Sequence, residues 1–409
     1  MRILVITLDY PPSFCSTGVL VRQLVQEFQR RGHVVTVVTS VAEGSEVSRR
    51  GWSSDGEARV LRLPLPKFRE SDSTFARLLV FGCFNVLSFV AGIFSGPQDV
   101  IYAPSPPFTN GLVTWLLGRL RRIPSVYNVQ DFQTEAYVQF GVLRNPFLIR
   151  VFRAMERFAC VANTRVTVLA QSWCEYLKGE GVDPGSIAVV HNFVDIEEIR
   201  PLPATNGFSR RHDFNARFVV MHAGTIAFRH GLGVLVEAAA LLGDLPDVLF
   251  VIVGGGSKHE ELEGQVEKAQ LPNLVLLPWQ SRADLPYVRA AADVHMIVLR
   301  RGMTTHSVPC KVYEIMASGR PFIAAVDADS EIDLIASQVD CGIVVEPESA
   351  KAIADAVRRL HGDRKMAREM GEIGRGEAVA RYSVTTSADQ YEALFEETLE
   401  SRKPSPRST

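Results

Sequence analysis

A chain of 409 residues, 46% hydrophobic and 22% charged, has the balance of an ordinary globular protein and is too long for one ordinary core, so two domains are expected. Its formal net charge of −2 argues against a nucleic-acid partner, whose phosphates call for a basic surface. The six cysteines, at 15, 83, 160, 174, 310 and 341, contain no C-x-x-C pair, which argues against a cysteine zinc site or a disulfide framework and fits a reducing compartment.

The opening M-R-I-L-V-I-T-L-D offers too short an apolar run for a signal peptide before Asp9 interrupts it, so a cytoplasmic protein is expected. Short β-branched runs then alternate with helical patterns, the signature of a parallel sheet covered on both faces. Strands are predicted at Ile3–Leu8, Val34–Thr39, Val60–Leu65, Val100–Ala103, Ser125–Val129, Val166–Ala170 and Ile187–His191, with helices near Val19–Arg31, Phe75–Phe94, Thr109–Arg121, Pro146–Val161 and Ser172–Glu180. The proline-bearing stretch Pro201–Ala216 reads as an interdomain linker. Alternation restarts with strands Phe218–His222, Leu249–Val253, Leu274–Leu277, Val294–Leu299, Phe322–Val326 and Gly342–Val345, then a helix Ala350–Leu360 and a helical tail Met366–Glu400. Two doubly wound domains in tandem would oppose the C-terminal ends of their sheets, where ligands bind, so a cleft between them is the expected site.

The segment Leu78–Gln98 carries no charge. Its helix, Phe75–Phe94, has three readings in order of preference: a buried core helix, a helix in the membrane interface, and a true span, which it falls slightly short of. Arg119, Arg121 and Arg122, after a second apolar helix Gly111–Leu120, favour the interface as basic residues beside an apolar face do.

The chain is organised around S-V-P-C-K-V-Y-E-I-M-A-S-G-R-P, Ser307–Pro321. Ser307 can cap a helix with Pro309 in its first turn, and Gly319 and Pro321 can stop it. Lys311 and Glu314, three apart, share a face near the positive end of the helix dipole. Free N–H groups and Lys311 suit a diphosphate, and Glu314 suits sugar or ribose hydroxyls; the bland alternative is an exposed ion pair on a capped helix.

Other stretches follow predicted strands. Gly18 opens the first helix, where a backbone can approach a ligand or simply turn. No G-x-G-x-x-G occurs, which lowers the case for a nicotinamide enzyme. Gln130, Asp131 and Glu135 follow the strand at 125–129; the two carboxylates suit acid/base work or an acceptor hydroxyl, or merely charge a helix start. His191, Asn192 and Asp195 close the first half, with Asn192 and Asp195 shaping the turn. Arg229 and His230 lie in the loop His222–Leu232, available to phosphate. Gly254 and Gly255 in V-G-G-G-S pack against a flat ligand or another strand. Trp279 can stack on a base or fill a core. No Ser/His/Asp order, H-E-x-x-H or P-loop is present.

Taken together and in order, I-L-V-I-T-L-D-Y-P-P, R-R-G-H-V-V-T-V-V-T, V-Q-D-F-Q-T-E, V-V-H-N-F-V-D, A-G-T-I-A-F-R-H-G-L, L-P-W-Q-S-R-A-D-L-P, A-A-A-D-V and P-C-K-V-Y-E-I-M-A-S-G-R-P-F-I-A resemble the family-4 retaining glycosyltransferases of the GT-B fold. The likeness is greatest to the bacterial group that builds O-antigen, colanic acid and related surface polysaccharides. It implies an α/β GT-B chain of two doubly wound Rossmann-like domains facing a central cleft. Residues 1–200 would form the acceptor-binding domain, 201–216 the linker and 217–375 the nucleotide-sugar-binding domain; 376–400 would be a helix packing back toward the first domain, and 401–409 a disordered tail.

The same resemblance implies catalytic roles for Lys311, Glu314, Asp131 and Glu135. It places Gly18, Gly224, Thr225, Arg229, His230, Gly254, Gly255, Trp279, Val308, Pro309 and Cys310, with Lys311 and Glu314, around a nucleoside-diphosphate sugar, and Gln130, Asp131 and Asn192 around a lipid-linked or other saccharide acceptor. It implies no metal, no cofactor and transfer with retention, by an enzyme on the inner face of the cell membrane. Glu314 matches the second glutamate of the family's E-x7-E element, while His306 stands in place of the first; Pro309, Cys310 and Lys311 match a P-S-K element. Thr225 and His230 occupy the positions of the usual diphosphate-binding Arg and Lys, Thr17-Gly18 that of a glycine pair, and Gln130 that of a histidine. These departures motivate two alternatives, a non-catalytic nucleotide- or membrane-binding relative and a nucleotide-sugar epimerase of the same fold.

Overall fold

The computed structural model describes residues 1–12, 15–40, 51–65, 74–139, 141–214, 216–303 and 308–401. The chain divides into two compact units: Met1–Asn192 together with the segment from Val384 onward, and Phe193–Ser383.

The first unit contains β1 (Arg2–Ile6), α1 (Ser16–Arg30), β2 (Val34–Ser40), β3 (Gly51–Asp55), β4 (Ala58–Leu63), α2 (Thr74–Ile93), β5 (Val100–Pro104), α3 (Asn110–Arg121), β6 (Ser125–Asn128), α4 (Gln133–Gln139), α5 (Pro146–Ala162), β7 (Arg165–Val168), α6 (Gln171–Gly179) and β8 (Ile187–Val189). Its sheet runs β3-β4-β2-β1-β5-β6-β7-β8. Ile3 sits in register between Val35 and Val100 at its centre. Ile3 to Ile6 are buried without alternation, as a strand covered on both faces requires. Strand β3 is an addition to the expected set. It pairs antiparallel with β4 around the Asp55-Gly56 turn, Asp55 facing Ala58, and its polar composition gave no strand pattern. Helix α4, absent from the expected helices, carries Glu135 in its first turn, in keeping with the reading in which the carboxylates charge a helix start.

The second unit contains α7 (Gly207–Arg211), β9 (Phe218–Ala223), α8 (Gly233–Ala240), β10 (Val248–Val253), α9 (His259–Ala269), β11 (Leu274–Leu277), α10 (Leu285–Ala291), β12 (Val294–Val298), α11 (Lys311–Ala317), β13 (Phe322–Ala325), α12 (Glu331–Val339), β14 (Gly342–Val345), α13 (Ala350–Gly362) and α14 (Arg364–Arg381). Its sheet runs β11-β10-β9-β12-β13-β14 with every pair parallel. The strand order reverses between β9 and β12, the position where doubly wound sheets leave room for a ligand. Two right-sized parallel sheets of this kind are the Rossmann-like architecture the alternating pattern predicts.

The stretch expected to be a linker, Pro201–Ala216, is instead packed into the second unit. Phe208 and Phe214, both nearly solvent-free, join the apolar cluster of β9 and β10. Asn206 and Ser209 close a capping box on α7. The prolines and polar residues hid these two anchors. The helical tail is also broken: after α14, Tyr382 is buried 4.7 Å from the Tyr313 ring, and a separate helix α15 (Val384–Glu400) belongs to the first unit. There Phe395 meets Phe28, Tyr391 meets Tyr102, and Arg31 reaches Asp389 and Glu392 at 2.6 and 2.8 Å. Residues 402–409, the expected disordered tail, lie outside the described residues.

Helix α2 serves two surfaces. Val80, Phe84 and Ser88, four apart, are buried, while Leu79, Val86, Val90 and Phe94 are exposed, Phe94 by 78%. Among the described residues no helix is long and apolar enough to cross a membrane, so the spanning reading is dropped. Arg121, expected beside an apolar face as a basic residue, instead donates to the Gly92 and Gly96 carbonyls and the Ser95 hydroxyl. It satisfies carbonyls that the end of α2 leaves open.

Candidate functional site

At the C-terminal ends of β9, β10 and β12 the second unit gathers most of the residues expected around a donor. Gly224 and Gly254 adopt φ of 155° and 151°, backbone that L side chains rarely adopt. A Cβ on Gly254 would collide with the Gly224 carbonyl, and one on Gly255 would lie 2.8 Å from Trp279 Nε1. The glycines therefore let one strand-end loop rest on the next, which is the strand-packing alternative rather than the flat-ligand one. Trp279 is 58% exposed, so the core-packing reading of this ring gives way to an open aromatic face. Thr225 is exposed, Arg229 partly buried.

Helix α11 starts at Lys311, later than the expected Ser307 cap. Cys310 occupies the cap position without a side-chain capping bond, and Ser307 and His306 lie outside the described residues. Val308 is buried and Pro309 and Cys310 partly so, ahead of the helix. The stop is as expected: Gly319 takes φ of 69° and its N–H bonds the Met316 carbonyl.

Lys311 and two buried histidines cluster at this end of the sheet. Lys311 is only partly exposed. Burial first, then the charges of Arg289 and Arg229, pull its ammonium down to about 7, against an opposing pull from Glu314. His222 and His230 are buried with rings 6.0 Å apart. Neither nitrogen of His222, nor Nδ1 of His230, has a hydrogen-bond partner among the described residues. Burial and the charge of Lys311 hold both imidazoles far below their ordinary range, His230 at about 2, so both are neutral at physiological pH. Unpaired buried polar atoms are costly and rare; here they surround a lysine.

Two members of this group escaped the sequence reading. His222 ends the otherwise apolar F-V-V-M-H-A, where a polar side chain in a strand buried on both faces was a usable signal. Arg289, 4% exposed, interrupts the apolar run of α10. Its Nε and Nη2 donate to Glu314 Oε2 at 3.2 and 2.5 Å, and Nη1 reaches the Ala223 carbonyl at 3.3 Å. Both of these bonds fall on one oxygen of Glu314, whose side chain keeps 30% exposure. The expected Lys311–Glu314 face is thus a three-residue unit in which Arg289 holds the carboxylate.

The residues assigned to the first unit take a different form. Gln130 Nε2 donates to Asn192 Oδ1 at 3.0 Å and Asn192 Nδ2 returns a bond to Gln130 Oε1 at 2.8 Å. Gln130 also donates to Asn128 Oδ1 at 2.6 Å. Gln130 and Asn192, assigned together to an acceptor, are therefore brought together. Glu135 is not poised for acid/base work: both its oxygens bond Arg153 at 2.6 and 2.9 Å, tying α4 to α5. Asp131 lies near the buried Glu156, whose carboxyl is raised to about 7 by burial. His191 Nδ1 lies 2.8 Å from the Leu169 carbonyl, the structural use expected of a lone histidine at a strand end. Gly18 is buried, and a Cβ there would press within 3.1 Å of the Asp9 backbone. Its glycine serves the strand-to-helix turn.

Comparison with known proteins agrees with this division. Residues 17–192 match the glycosyl transferase 4-like domain and residues 208–377 match the domain of glycosyl transferases group 1. The putative colanic acid biosynthesis glycosyl transferase WcaI of Escherichia coli (strain K12) is 26% identical over 91% of this chain and 96% of its own. The UDP-Gal:alpha-D-GlcNAc-diphosphoundecaprenol alpha-1,3-galactosyltransferase of Escherichia coli is 25% identical over 73% and 75%. Among solved structures, sucrose-phosphate synthase from Thermosynechococcus elongatus superposes with a TM-score of 0.78 at 19% identity, covering 98% of this chain and 100% of that one. With a 4-like domain matched by its first unit and a group 1 domain by its second, the chain belongs to the family-4 glycosyltransferases of the GT-B fold, near the group that makes bacterial surface polysaccharides.

Proposed function

We propose that this glycosyltransferase moves a sugar from a nucleoside-diphosphate sugar to a lipid-linked saccharide, with retention and without a bound metal. One observation carries the reading: Lys311 lies amid Arg289, Arg229 and two neutral, incompletely bonded histidines, beside glycine turns at strand C-termini. A diphosphate supplies the negative charge this group lacks and accepts from the amides of the turns. Glu314, anchored through one oxygen, offers the other to ribose hydroxyls, and exposed Trp279 offers a face to the base.

In this scheme the protein orients donor and acceptor and stabilises the charge that builds on the departing diphosphate. The diphosphate itself takes the proton of the incoming hydroxyl on the face it leaves. The carbon–oxygen bond to the diphosphate breaks as the bond to the acceptor forms, and the configuration is kept. The acceptor proposal draws on the relative whose name specifies a diphosphoundecaprenol-linked acceptor and UDP-galactose.

A melting-temperature panel of UDP-, GDP- and dTDP-sugars tests donor use, since a ligand of the folded state raises that temperature. A selective rise with one nucleotide, with slow release of its sugar to water, supports the enzyme. A nucleotide-induced rise without hydrolysis or transfer supports the non-catalytic relative, and an altered sugar without acceptor supports the epimerase. Proton NMR of the new linkage reads retention, and turnover after exhaustive chelation reads metal independence.

The exposed apolar side chains of α2, together with Leu116 and Leu120 of α3 and Phe158 and Val161 of α5, support a peripheral membrane position. Arg119 lies in the last turn of α3, Arg122 follows it and Arg150 is on α5, charges suited to anionic lipid. Val86→Glu is expected to release the protein from anionic vesicles. Unchanged co-sedimentation would refute this position.

A further inference from the structure

The second unit has another cavity, of about 470 Å³, lined by residues at the opposite ends of its strands. Phe218 begins β9, Asp293 precedes β12 and Pro321 precedes β13, whereas the glycine turns follow the strands. Along the six residues of β9 the separation is about 16 Å, at about 3.3 Å per step. The volume falls within the roughly 300–1,000 Å³ of small-molecule sites.

Arg320, Arg364, Arg368 and Arg375 line this cavity against only Asp293 and Glu372. Three of the arginines come from α14 at positions i, i+4 and i+11, which a helix brings to one face. Gly371 lets that face close on the 319–320 turn, since a Cβ there would collide with the Gly319 carbonyl. Three guanidinium groups are held by the protein. Arg375 donates to the carbonyls of Ile196, Ile199 and Ala317. Arg364 lies 4.1 Å over the Phe218 ring and bonds Asp247. Arg320 Nη2 donates to the carbonyls of Leu202 and Ala290 at 3.2 and 2.8 Å.

Carbonyls fix a guanidinium without neutralising it. Arg320 Nε is buried with no partner, and Arg368 has no hydrogen bond or ion pair among the described residues. Asp293 accepts from the Val219 N–H at 2.8 Å and lies 3.8 Å from Arg364 Nη1, so its charge is directed at Arg364 rather than at Arg368. Burial lowers Arg320 from its ordinary value. Helix packing alone accounts for Arg375 and Arg364; it leaves the Arg320 Nε and the whole of Arg368 unused. Rigid planar donors around a cavity of this size match the oxygens of a phosphate group.

We propose that this cavity is a second anion site, separate from the donor group, which binds the phosphate of a small phosphorylated molecule through Arg320 and Arg368. The test uses the full chain carrying Lys311→Ala, which removes one cation of the donor group, titrated with inorganic phosphate and with pyrophosphate at low salt by calorimetry. Saturable binding is expected to survive Lys311→Ala and to weaken about tenfold or more in the double variant with Arg368→Glu. Arg368 is exposed on a helix surface, so the melting temperature without ligand should stay unchanged, which separates lost binding from lost folding. Absence of saturable binding in Lys311→Ala, or equal affinity after Arg368→Glu, overturns the proposal.

Discussion

Each unit gathers polar side chains just past its strand C-termini, but the two groups differ in kind. In the first unit Gln130, Asn192 and Asn128 form a neutral amide network, with Tyr102 donating to Asn128 at 3.3 Å. In the second, Lys311 and Arg289 carry charge, and three imidazole nitrogens have no partner among the described residues. A satisfied neutral network is stable as it stands. An excess of buried cations beside unpaired donors is stable only because something else rewards it, and an anionic ligand does so. The contrast predicts that substitutions in the second group act mainly on binding and chemistry, and those in the first mainly on stability.

The strongest test of that contrast is Lys311→Ala. Removing a preorganised donor to developing charge lowers turnover roughly 10²–10³-fold, read as kcat with saturating donor. Stability moves the other way. Lys311 titrates at about 7 when folded against about 10.4 unfolded, so the unfolded chain binds more protons between these values. Wild-type stability therefore rises with pH across that window, and the penalty is full below about 7. Lys311→Met is expected to raise the melting temperature, more at pH 6 than at pH 9. A lowered melting temperature at pH 6 would show that the ammonium is well paired without ligand.

Arg289→Met comes next. It leaves Glu314 without its partner at a site where the arginine is 4% exposed, and breaking such a pair costs about 3 kcal/mol, measurable by urea unfolding. A purely structural arginine would do no more. Arg289 also helps to hold Lys311 down, so its removal should move the pH midpoint of donor binding upward.

That midpoint is itself a prediction. A bound diphosphate raises the Lys311 value above about 7, so binding takes up a proton. Affinity should be flat below pH 7 and then fall by up to about tenfold per pH unit. Calorimetry in buffers of different ionisation enthalpy checks the proton uptake, and Lys311→Met should abolish it. The charges involved are Arg289, Arg229 and Glu314, with His222 and His230 neutral throughout this range.

The sequence made this second group only half legible. The parallel sheets could be read because β1, β9 and β10 are largely apolar runs with helices between them. Lys311 and Glu314 could be read because three residues on a helix return to one face. Arg289 could not, because it arrives from a different helix, and its pairing with Glu314 across 25 positions has no local periodicity. The Pro201–Ala216 stretch misled for a related reason. Two phenylalanines, Phe208 and Phe214, lying outside every predicted strand, fix it in the core, and no short-range pattern announces such anchors. The first unit's Gln130–Asn192 pair spans 62 positions, yet both residues follow strands that lie near one another in the sheet, so topology foretold their meeting where spacing did not.

The smallest effect is expected at that amide pair, and it cuts the comparison most finely. Gln130→Leu takes from buried Asn192 the two bonds it shares with Gln130, at a cost of about 1–3 kcal/mol. Replacing both residues by leucine loses those shared bonds only once, so the double variant should be less destabilised than the sum of the single changes. The coupling, about 1 kcal/mol, is read from a four-member unfolding cycle. The same four proteins report on function: if the amides only brace the sheet end, acceptor KM follows stability and recovers in the double variant. If they also bind acceptor hydroxyls, KM stays raised in the double variant while stability recovers, because leucine restores packing but donates no hydrogen bond.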